Sequence, residues 1–384
     1  TFTPSGMASG KLQIWQHTHT TPPKDLKLWR DFVREGIEHE MRLRGEEEVA
    51  SWYFECWNEP NLRGCFFSGS REEWFELWAA TWEGIKAANP HLKIGGPSTA
   101  RGEWIEEFLD WTRTHGCPPD YVISHFYNND SEAEPLSPFD GPASHRVKDS
   151  PHFGAGVARG TRKLLDRLGF TGEMHWNEWG RSWFPYDPVK ETAQEAAYIV
   201  KTMAEVSQLA DIFAFWCLSD IYDQLGYGRD EFQGNYGMLS LHGLRKPAYF
   251  AHVLLNRVVG KRVPVAGQAP DALEGAVACK RESGVAVLVY LYPETSGQEP
   301  KRERIEVVLP QGISKVRLYR IDSENNNIVT VWRQMGAPAG VLRKGVLAEL
   351  QRENELRGDD LPAAEGYVKF ELERPGVALI EAQF

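Results

Sequence analysis

Clusters of basic residues, long apolar runs and paired cysteines are all scarce in this 384-residue chain. The 43 Lys and Arg side chains are outnumbered by 54 Asp and Glu side chains, which gives a formal net charge of −11, and no basic block stands out. An acidic chain of this kind is a poor partner for nucleic acid or for an anionic membrane surface. No run of about 18 apolar residues occurs, the length that a membrane-spanning helix needs. We therefore expect neither nucleic acid nor a membrane among its partners.

The five cysteines are odd in number and scattered, and no C-x-x-C pair is present. This pattern supports neither a zinc site nor a disulfide framework, and free thiols favour a location in the cytoplasm. No Gly-x-Gly-x-x-Gly follows a predicted strand, which argues against a dinucleotide cofactor. We expect an activity that needs no metal and no cofactor.

Aromatic residues, in contrast, are abundant: 14 Trp, 13 Tyr and 18 Phe, many of them next to Glu, Asp or Asn. Aromatic faces beside a few polar groups are typical of small-ligand sites, including those for sugars. Hydrophobic residues make up 42% of the chain, enough to bury a sizeable core. The length exceeds that of one ordinary domain and suits a large domain with a smaller one.

Residues 1–259 alternate short apolar runs with amphipathic stretches of helical periodicity. This alternation predicts parallel strands with crossover helices, either as a (β/α) barrel or as a doubly wound sheet. Ser70 and Glu73 form a capping-box pattern at the start of one helix. The predicted strands cover residues 52–57, 92–95, 121–125, 173–178 and 212–217. The predicted helices lie near residues 28–41, 70–85, 104–115, 157–168, 192–209 and 248–259.

The pattern changes from about residue 260, where apolar and polar residues alternate with a period of two between turn residues. Such runs predict an antiparallel β-sandwich. They cover residues 285–292, 304–309, 315–321, 367–372 and 376–382. We thus expect a catalytic barrel domain at 1–259 and an accessory β-sandwich domain at 260–384. The polar segment 338–362 contains a short helical stretch and is interpreted as an excursion from the sandwich at a subunit contact, which leaves a homo-oligomer open.

Two Trp-rich segments place an Asn-Glu pair at the end of a predicted strand: WNEPN at 57–61 and HWNEW at 175–179. The two strands are three strand–helix units apart, and strands so spaced stand nearly opposite each other in an eight-membered ring. Glu59 and Glu178 would then both point into the mouth at the carboxyl end of the barrel, where barrel active sites lie.

Two carboxyl groups facing each other across an aromatic cleft are what cleavage of a glycosidic bond requires. One must be protonated to assist the departing oxygen, and the other must be ionised to attack or to stabilise an oxocarbenium-like centre. Their mutual repulsion helps, since it raises one of the two pKa values. A pair of surface glutamates in unrelated turns is the alternative, but two Asn-Glu segments at strand ends favour the hydrolase.

The chain resembles glycoside hydrolase family 39, and in particular its β-xylosidases, in a series of motifs that run in order along nearly its whole length. These motifs are TPPKD at 21–25, FECWNEPNL at 54–62, GGP at 95–97, HFY at 125–127, HWNE at 175–178, FWCLSD at 215–220, GML at 237–239, KP at 246–247 and VWRQMG at 331–336.

The resemblance implies a (β/α)8 TIM barrel, of which strands three to eight are visible here, with a C-terminal antiparallel β-sandwich. It also implies a retaining double-displacement mechanism, with Glu59 as the acid/base and Glu178 as the nucleophile. Asn58 matches the residue that hydrogen-bonds the sugar 2-OH. Retention predicts carboxyl groups about 5–5.5 Å apart.

Other positions carry over from the same resemblance. His125 and Tyr127 match polar residues near the nucleophile and the bound sugar. Trp216 matches a platform for the sugar, although a tryptophan of the barrel core fits it nearly as well. Of Phe66 and Phe67, one is expected to line the entrance, with packing as the alternative for either.

Two departures from the family pattern stand out. Asp223 and Gln224 occupy positions where family xylosidases tend to have two glutamates that hold sugar hydroxyls, which leaves the identity of the sugar open. Residues 2–8 align within the third barrel strand, so that only six of eight strands can be placed. We expect about 100 upstream residues, two βα units, to belong to the natural protein.

The sequence therefore predicts a retaining, exo-acting β-D-xylosidase that releases xylose from xylo-oligosaccharides. The same mechanism on a β-galactoside, an arabinopyranoside or a uronide remains open, and Arg181 is the one obvious basic candidate near Glu178 for a uronate. A non-catalytic carbohydrate-binding protein is a further alternative. The presence of both glutamates argues against it, because a pure binder gains nothing from two carboxylates that repel each other.

Overall fold

In the described part of the chain, the fold consists of one parallel sheet, three antiparallel sheets, of which one is a short two-stranded pair, and nine helices. The computed structural model describes residues 3–10, 13–14, 18–132, 137–222, 228–269, 271–362 and 366–384. The helices are α1 (Leu26–Arg44), α2 (Glu46–Ala50), α3 (Arg71–Ala88), α4 (Ile105–Thr114), α5 (Phe153–Leu168), α6 (Ala193–Val206), α7 (Pro247–Leu255), α8 (Ile328–Gln334) and α9 (Lys344–Glu353). The strands are β1 (Gln13–Ile14), β2 (Thr18–His19), β3 (Tyr53–Glu55), β4 (Lys93–Ala100), β5 (Tyr121–Tyr127), β6 (Glu173–Gly180), β7 (Ile212–Phe215), β8 (Lys261–Val263), β9 (Glu274–Arg281), β10 (Gly284–Leu291), β11 (Lys301–Val308), β12 (Lys315–Ile321), β13 (Gly358–Leu361), β14 (Tyr367–Arg374) and β15 (Gly376–Gln383).

The chain divides into two compact units. The first unit comprises residues 1–179 and 208–215, and the second comprises residues 180–207 and 216–384. This division follows the packing of the chain and runs through the predicted catalytic domain. The predicted domain boundary at residue 259 stays a prediction.

The first unit contains the five-stranded sheet, in the order β3-β4-β5-β6-β7. The paired strands run parallel, with a helix between successive strands. This confirms the predicted alternation and the five predicted strands, and it forms a half-barrel. Because the strands are parallel and follow chain order, their carboxyl ends meet at one edge of the sheet, where the loops that carry Glu59 and Glu178 begin.

The predicted strand at residues 2–8 is wrong for the part that the structure describes. Residues 3–10 form turns, in which the carbonyl of Pro4 accepts hydrogen bonds from the N–H groups of Met7 and Ala8 at 2.9 and 3.1 Å. Ala8 pairs only in an isolated antiparallel bridge with Pro23. A proline lacks the N–H that a central strand needs, and the carbonyl of Pro4 is already used within the turn.

Local signals set the ends of the helices. The hydroxyl of Ser70 accepts a hydrogen bond from the N–H of Glu73, whose carboxylate in turn accepts from the N–H of Ser70 at 2.7 Å, so the predicted capping box of α3 is confirmed. Helix α5 ends at Gly169 in the left-handed region, with φ of 67°, which a glycine adopts without strain. No helix among the described residues is long and apolar enough to span a membrane.

Part of the aromatic content of the first unit packs in its core. Trp74, Trp78 and Phe108 are completely buried and meet with ring centroids 4.8–6.3 Å apart. The indole N–H of Trp78 donates to the carbonyl of Cys117 at 2.9 Å, which satisfies its one polar atom. These tryptophans therefore stabilise the fold and take no part in a sugar site.

The second unit contains a six-stranded antiparallel sheet, ordered β13-β12-β15-β10-β9-β8, and the antiparallel pair β11-β14. All five runs of period-two alternation form strands here, while β8, β9 and β13 were not predicted. Side chains of the two sheets share one hydrophobic cluster. It includes Val287 and Val289 of β10 and Val368 of β14. The polar segment 338–362 contains helix α9, which its short helical stretch predicted, and strand β13, which was not predicted.

Candidate active site

Four predicted side chains meet in the first unit at the carboxyl ends of β3, β5 and β6. The Nδ1 atom of His125 lies 2.9 Å from Oε1 of Glu59 and 3.7 Å from Oε2 of Glu178. The hydroxyl of Tyr127 donates to Oε1 of Glu178 at 2.7 Å. His125 and Tyr127 are two residues apart on β5, so that both side chains lie on the same face of the strand. We call Glu59, His125 and Glu178 the acidic cluster.

Glu59 is held by strained backbone in the loop after β3. Both Trp57 and Glu59 have positive φ, at 70° and 46°, a region that side chains other than glycine rarely adopt. The N–H of Glu59 donates to the carbonyl of Ser98 at 2.8 Å. The amide of Asn61 forms two hydrogen bonds with the backbone of Ala100, one in each direction, at 3.1 and 2.9 Å. The loop is thereby tied to the end of β4, which offsets the strain and sets the direction of Glu59.

A second set of contacts ties the end of β4 to β5. The Asn61 amide also donates to Glu103 at 2.9 Å, and Glu103 pairs with Arg101 at 2.9 Å. The N–H of Arg101 donates to the carbonyl of His125 at 2.8 Å. Glu103 and Arg101 were not predicted, because nothing in the sequence shows that Asn61 reaches them.

The electrostatics of the acidic cluster follow from its burial and from its excess of carboxylates. Burial acts to lower the pKa of His125, but the negative charges of Glu178 and Glu59 and the hydrogen bond to Glu59 outweigh it and raise the pKa to about 9. Burial also raises the pKa of Glu178 to about 7, although the positive charge of His125 opposes the shift. The group is therefore able to hold and exchange protons near neutral pH.

A third carboxyl group, that of Asp130, lies beside these residues and was missed. Its Oδ2 atom accepts a hydrogen bond from the N–H of Tyr127 at 2.9 Å. Burial raises its pKa to about 7, with a further contribution from the negative charge of Glu59. The run of Asn128, Asn129 and Asp130 directly after a strand was the available signal, since such residues accept hydrogen bonds from nearby backbone in turns. By accepting from its N–H, Asp130 fixes the backbone of Tyr127 and hence the hydroxyl that holds Glu178.

The two predicted catalytic carboxyl groups are close together. One oxygen from each of Glu59 and Glu178 and the Nδ1 atom of His125 all lie within 4.8 Å of one another. Such a set of atoms is also able to bind a divalent cation. A proton on His125, however, offsets part of this negative charge without a metal, since the charges of Glu178 and Glu59 and the hydrogen bond to Glu59 raise the pKa of His125.

The remaining site residues of the first unit are Asn58 and Phe67. Asn58 is half-buried and directly precedes Glu59. Phe67 is completely buried, and its ring packs edge-on against Trp57 with the centroids 5.3 Å apart. Phe67 thus has the packing role that the sequence left open, because it exposes no surface to a sugar. Phe66 is the half-buried member of the pair, and its carbonyl accepts from the indole of Trp57 at 3.0 Å.

The other predicted residues belong to the second unit or lie outside the described residues. The ring of Trp216 is half-buried and packs edge-on against Tyr222 at 5.4 Å, and its role as a platform stays a prediction. Asp223 and Gln224 lie outside the described residues. Arg181 is buried, where it pairs with Glu195 at 2.9 Å and with Asp187.

The pairing of Arg181 overturns its candidate role in binding a uronate. A guanidinium that already neutralises two carboxylates, away from solvent, offers a third one little attraction. Its position three residues after Glu178 in the sequence suggested proximity to the substrate, but its charge is used inside the second unit.

Comparisons with known proteins agree with the chemistry of the acidic cluster. The sequence profile of Glycosyl hydrolases family 39 matches residues 1–354. A β-xylosidase from Caldicellulosiruptor saccharolyticus is 30% identical over 361 residues, which are 93% of this chain and 72% of the relative. One from Geobacillus stearothermophilus is 28% identical over 391 residues, 100% of this chain and 76% of the relative.

A solved structure is also similar over the entire chain. It is the crystal structure of a monomeric β-xylosidase from Caulobacter crescentus CB15, which matches 100% of this chain and 80% of its own, with 29% identity and a TM-score of 0.83. Sequence profile, relatives and fold agree on the family, and the carboxyl groups of Glu59 and Glu178 lie close together. The chain belongs to glycosyl hydrolase family 39 and is a glycosidase.

Proposed function

We propose that this glycosidase is a retaining, exo-acting β-D-xylosidase that releases xylose from the ends of xylo-oligosaccharides by double displacement. The observation that carries the proposal is the approach of Glu59 and Glu178, in which one oxygen of each carboxyl group lies within 4.8 Å of the other. Retaining glycosidases have carboxyl groups about 5–5.5 Å apart, whereas inverting ones need about 6.5–9.5 Å to admit a water molecule between them.

In the first step Glu178 attacks the anomeric carbon while Glu59 gives a proton to the departing oxygen. The hydrogen bond from Tyr127 at 2.7 Å and the charge of His125 at 3.7 Å orient and stabilise the ionised form of Glu178. Glycosylation removes the negative charge of Glu178. Glu59, which gave up its proton in the first step, accepts a proton in the second step from the water that frees the sugar.

Xylose is supported as the sugar by the two relatives and the solved structure, all three of which are β-xylosidases. A uronide is disfavoured because Arg181 is buried with two carboxylates of its own. Asp223 and Gln224 differ from the pattern of family xylosidases. A β-galactoside and an arabinopyranoside therefore remain the competing substrates.

The proposed function includes a fold larger than the half-barrel of the first unit. We take the five parallel strands as part of a (β/α)8 barrel, and the two antiparallel sheets that share one core as a β-sandwich. The TM-score of 0.83 with the Caulobacter structure supports one common fold. A location in the cytoplasm stays a prediction from the cysteines.

A panel of p-nitrophenyl glycosides tests the function. We expect the β-D-xylopyranoside to have the highest kcat/KM, and proton NMR of the first turnovers to show β-xylose before mutarotation. Release of α-xylose would contradict retention, and a higher kcat/KM for another glycoside would change the sugar. If no glycoside is hydrolysed but sugar still binds, the protein is a carbohydrate-binding protein.

A further inference from the structure

A row of exposed aromatic side chains follows β6 in the second unit. Residues 182–186 read Ser-Trp-Phe-Pro-Tyr, with no charged side chain among them. Trp183, Phe184 and Tyr186 expose 49%, 55% and 42% of their surface. Aromatic residues of a folded chain stabilise it by being buried, so that a contiguous exposed group of them indicates a binding surface. We call residues 182–186 the aromatic loop.

Hydrogen bonds from the side chains of Tyr236 and Lys190 fix the backbone of the aromatic loop. The carbonyl of Trp183 accepts from the hydroxyl of Tyr236 at 2.6 Å, and the carbonyl of Phe184 accepts from the ammonium of Lys190 at 2.5 Å. The N–H of Phe184 donates to the hydroxyl of Ser182 at 3.1 Å. Lys190 is buried and lies 3.9 Å from the centroid of the Tyr236 ring, so that these two anchors also support each other.

Buried ion pairs hold the residues on either side of the aromatic loop in place. Arg181, just before it, pairs with Glu195 and with Asp187, just after it. The N–H of Asp187 donates to the carbonyl of Gly234 at 3.1 Å. A buried ion pair is costly to desolvate and tolerates little change in geometry, so both ends of the loop keep their positions.

Tyr186 shows that the loop is held in a strained form. Its φ is 60°, in the left-handed region that a bulky side chain seldom adopts, and the side chain is exposed. Strain at an exposed aromatic residue is retained only where the surrounding structure imposes it, and such positions are concentrated at functional sites.

The size of the surface favours a small ligand over a second protein. The ring of Tyr236, whose hydroxyl binds the loop, lies 6.1 Å from the ring of Tyr222, which is 37% exposed and extends the surface. About half of each of Trp183, Phe184 and Tyr186 is exposed, which amounts to roughly 200–400 Å² at 150–250 Å² for an aromatic residue. A stable interface between proteins needs about 800 Å² from each partner.

We propose that the aromatic loop is a binding surface for the uncharged pyranose rings of a xylo-oligosaccharide chain. The C–H faces of a pyranose are apolar and flat enough to lie on Trp183 and Phe184, while the hydroxyls at the ring edge stay in water. The absence of charged side chains suits a neutral sugar and gives a sugar acid no partner. The choice of xylose rests on the proposed function, whereas the aromatic contact with a pyranose does not.

Calorimetric titration with xylohexaose tests the surface, using the full chain with Glu178→Ala to prevent hydrolysis. We expect Trp183→Ala and Phe184→Ala each to weaken binding about tenfold. Trp183→Phe, which keeps an aromatic face, is expected to stay within about threefold, a rescue that mere structural support of the loop does not predict. Phe384→Ala removes an aromatic ring of similar exposure, 52%, in the same unit and is the matched control, with no change expected.

Equal affinity of the two alanine variants and the parent would overturn the proposal. It would also be overturned by a concentration-dependent dimer in sedimentation that Trp183→Ala abolishes, because the surface would then bind a second copy. Hydrolysis of the p-nitrophenyl xyloside by the unsubstituted protein is measured alongside. Loop-dependent binding without hydrolysis refutes the proposed function alone, and hydrolysis with loop-independent binding refutes the surface alone.

Discussion

Two buried clusters, one in each unit, can be compared because in both of them two carboxylates surround a single base. In the first unit His125 lies between Glu59 and Glu178, at 2.9 and 3.7 Å. In the second unit Lys246 lies between Glu191 and Asp220, at 2.8 and 2.7 Å. The formal charges are the same, yet only the first cluster is assigned a reaction.

The two clusters differ in hydrogen-bond donors and in access to solvent. The Lys246 ammonium reaches both carboxylates closely, and each also accepts a backbone N–H, Glu191 from Gly234 and Asp220 from Gly237. All three of these side chains are completely buried. The charges of Glu191 and Asp220 outweigh burial and raise the pKa of Lys246, so that it stays protonated.

In the acidic cluster the base satisfies its two carboxylates less completely than Lys246 does. A single nitrogen of His125 faces both carboxylates and is within hydrogen-bond distance of only one of them. The side chain of Glu178 is 17% exposed. Two clusters with the same formal charge therefore have different roles. The Lys246 cluster has enough hydrogen-bond donors and is buried from solvent, so it anchors the structure. In the acidic cluster one carboxylate lacks a close cation and is accessible to solvent, so it is available for reaction.

The largest effect is expected for Glu178→Ala, which should lower kcat by about 10⁴-fold or more, since the nucleophile is lost. The free energy of unfolding should not fall, because burial already disfavours this carboxylate. Azide should restore turnover and yield a glycosyl azide of inverted configuration. Glu173→Ala, on the same strand, is the control. A product of retained configuration would show that the roles of Glu178 and Glu59 are reversed.

The opposite result is expected for Lys246→Met in the second cluster. It leaves two buried carboxylates without their cation, and the free energy of unfolding in urea should fall by about 3–5 kcal/mol. Lys369→Met removes an exposed ion pair with Glu306 and should change it by less than about 1 kcal/mol. A loss below about 1 kcal/mol for Lys246→Met would mean that this cluster does not anchor the unit.

Glu59→Ala tests the division of roles within the acidic cluster. For aryl xylosides with poor leaving groups kcat/KM should fall about 10³-fold, because such groups need a proton to depart. For dinitrophenyl xyloside, whose leaving group is stable as an anion, the loss should be less than about tenfold. Equal losses for both substrates would contradict the role of Glu59 as the acid.

A shift in the pH profile should reveal the charge of His125. Glu178 must lose its proton before it attacks, so its pKa of about 7 sets the acidic limb of kcat/KM. His125, with a pKa of about 9, is positively charged in that range and lowers the pKa of Glu178. His125→Asn removes this charge and should move the limb about one unit to higher pH.

The control for that shift is His252→Asn. Burial lowers the pKa of His252 to about 4, so this histidine is neutral over the same range and its replacement should leave the limb in place. If the acidic limb of kcat/KM is unchanged or moves to lower pH in His125→Asn, the charge of His125 does not act on Glu178.

The smallest effect is expected for a chelator. The acidic cluster has the atoms to bind a cation, but the proposed mechanism uses them for proton transfer, so activity after dialysis against EDTA should be unchanged. Activity that is lost on dialysis and returns with a divalent cation would assign these residues to a metal.

Local patterns predicted most of the first unit, because their physical causes lie within a few residues. The Ser70 and Glu73 capping box starts α3, Gly169 ends α5, and five apolar runs form the parallel strands. The meeting of Glu59 and Glu178 was predictable for a related reason, since parallel strands bring their carboxyl ends to one edge.

Contacts between distant parts of the chain were not predictable in this way. The pairing of Arg181 depends on Glu195, which lies on helix α6, and the burial of Phe67 depends on its packing against Trp57. The role of Asp130 depends on a turn that brings its carboxylate to the N–H of Tyr127.

The amino-acid sequence by itself determined the order of strands and helices and the pair of carboxyl groups that chemistry requires, because periodicity, capping and strand-end position act locally. The tertiary structure alone decided which charges are neutralised and which remain reactive. Both the desolvation of an ion and its attraction to a partner depend on distances through space, which positions along a chain do not specify.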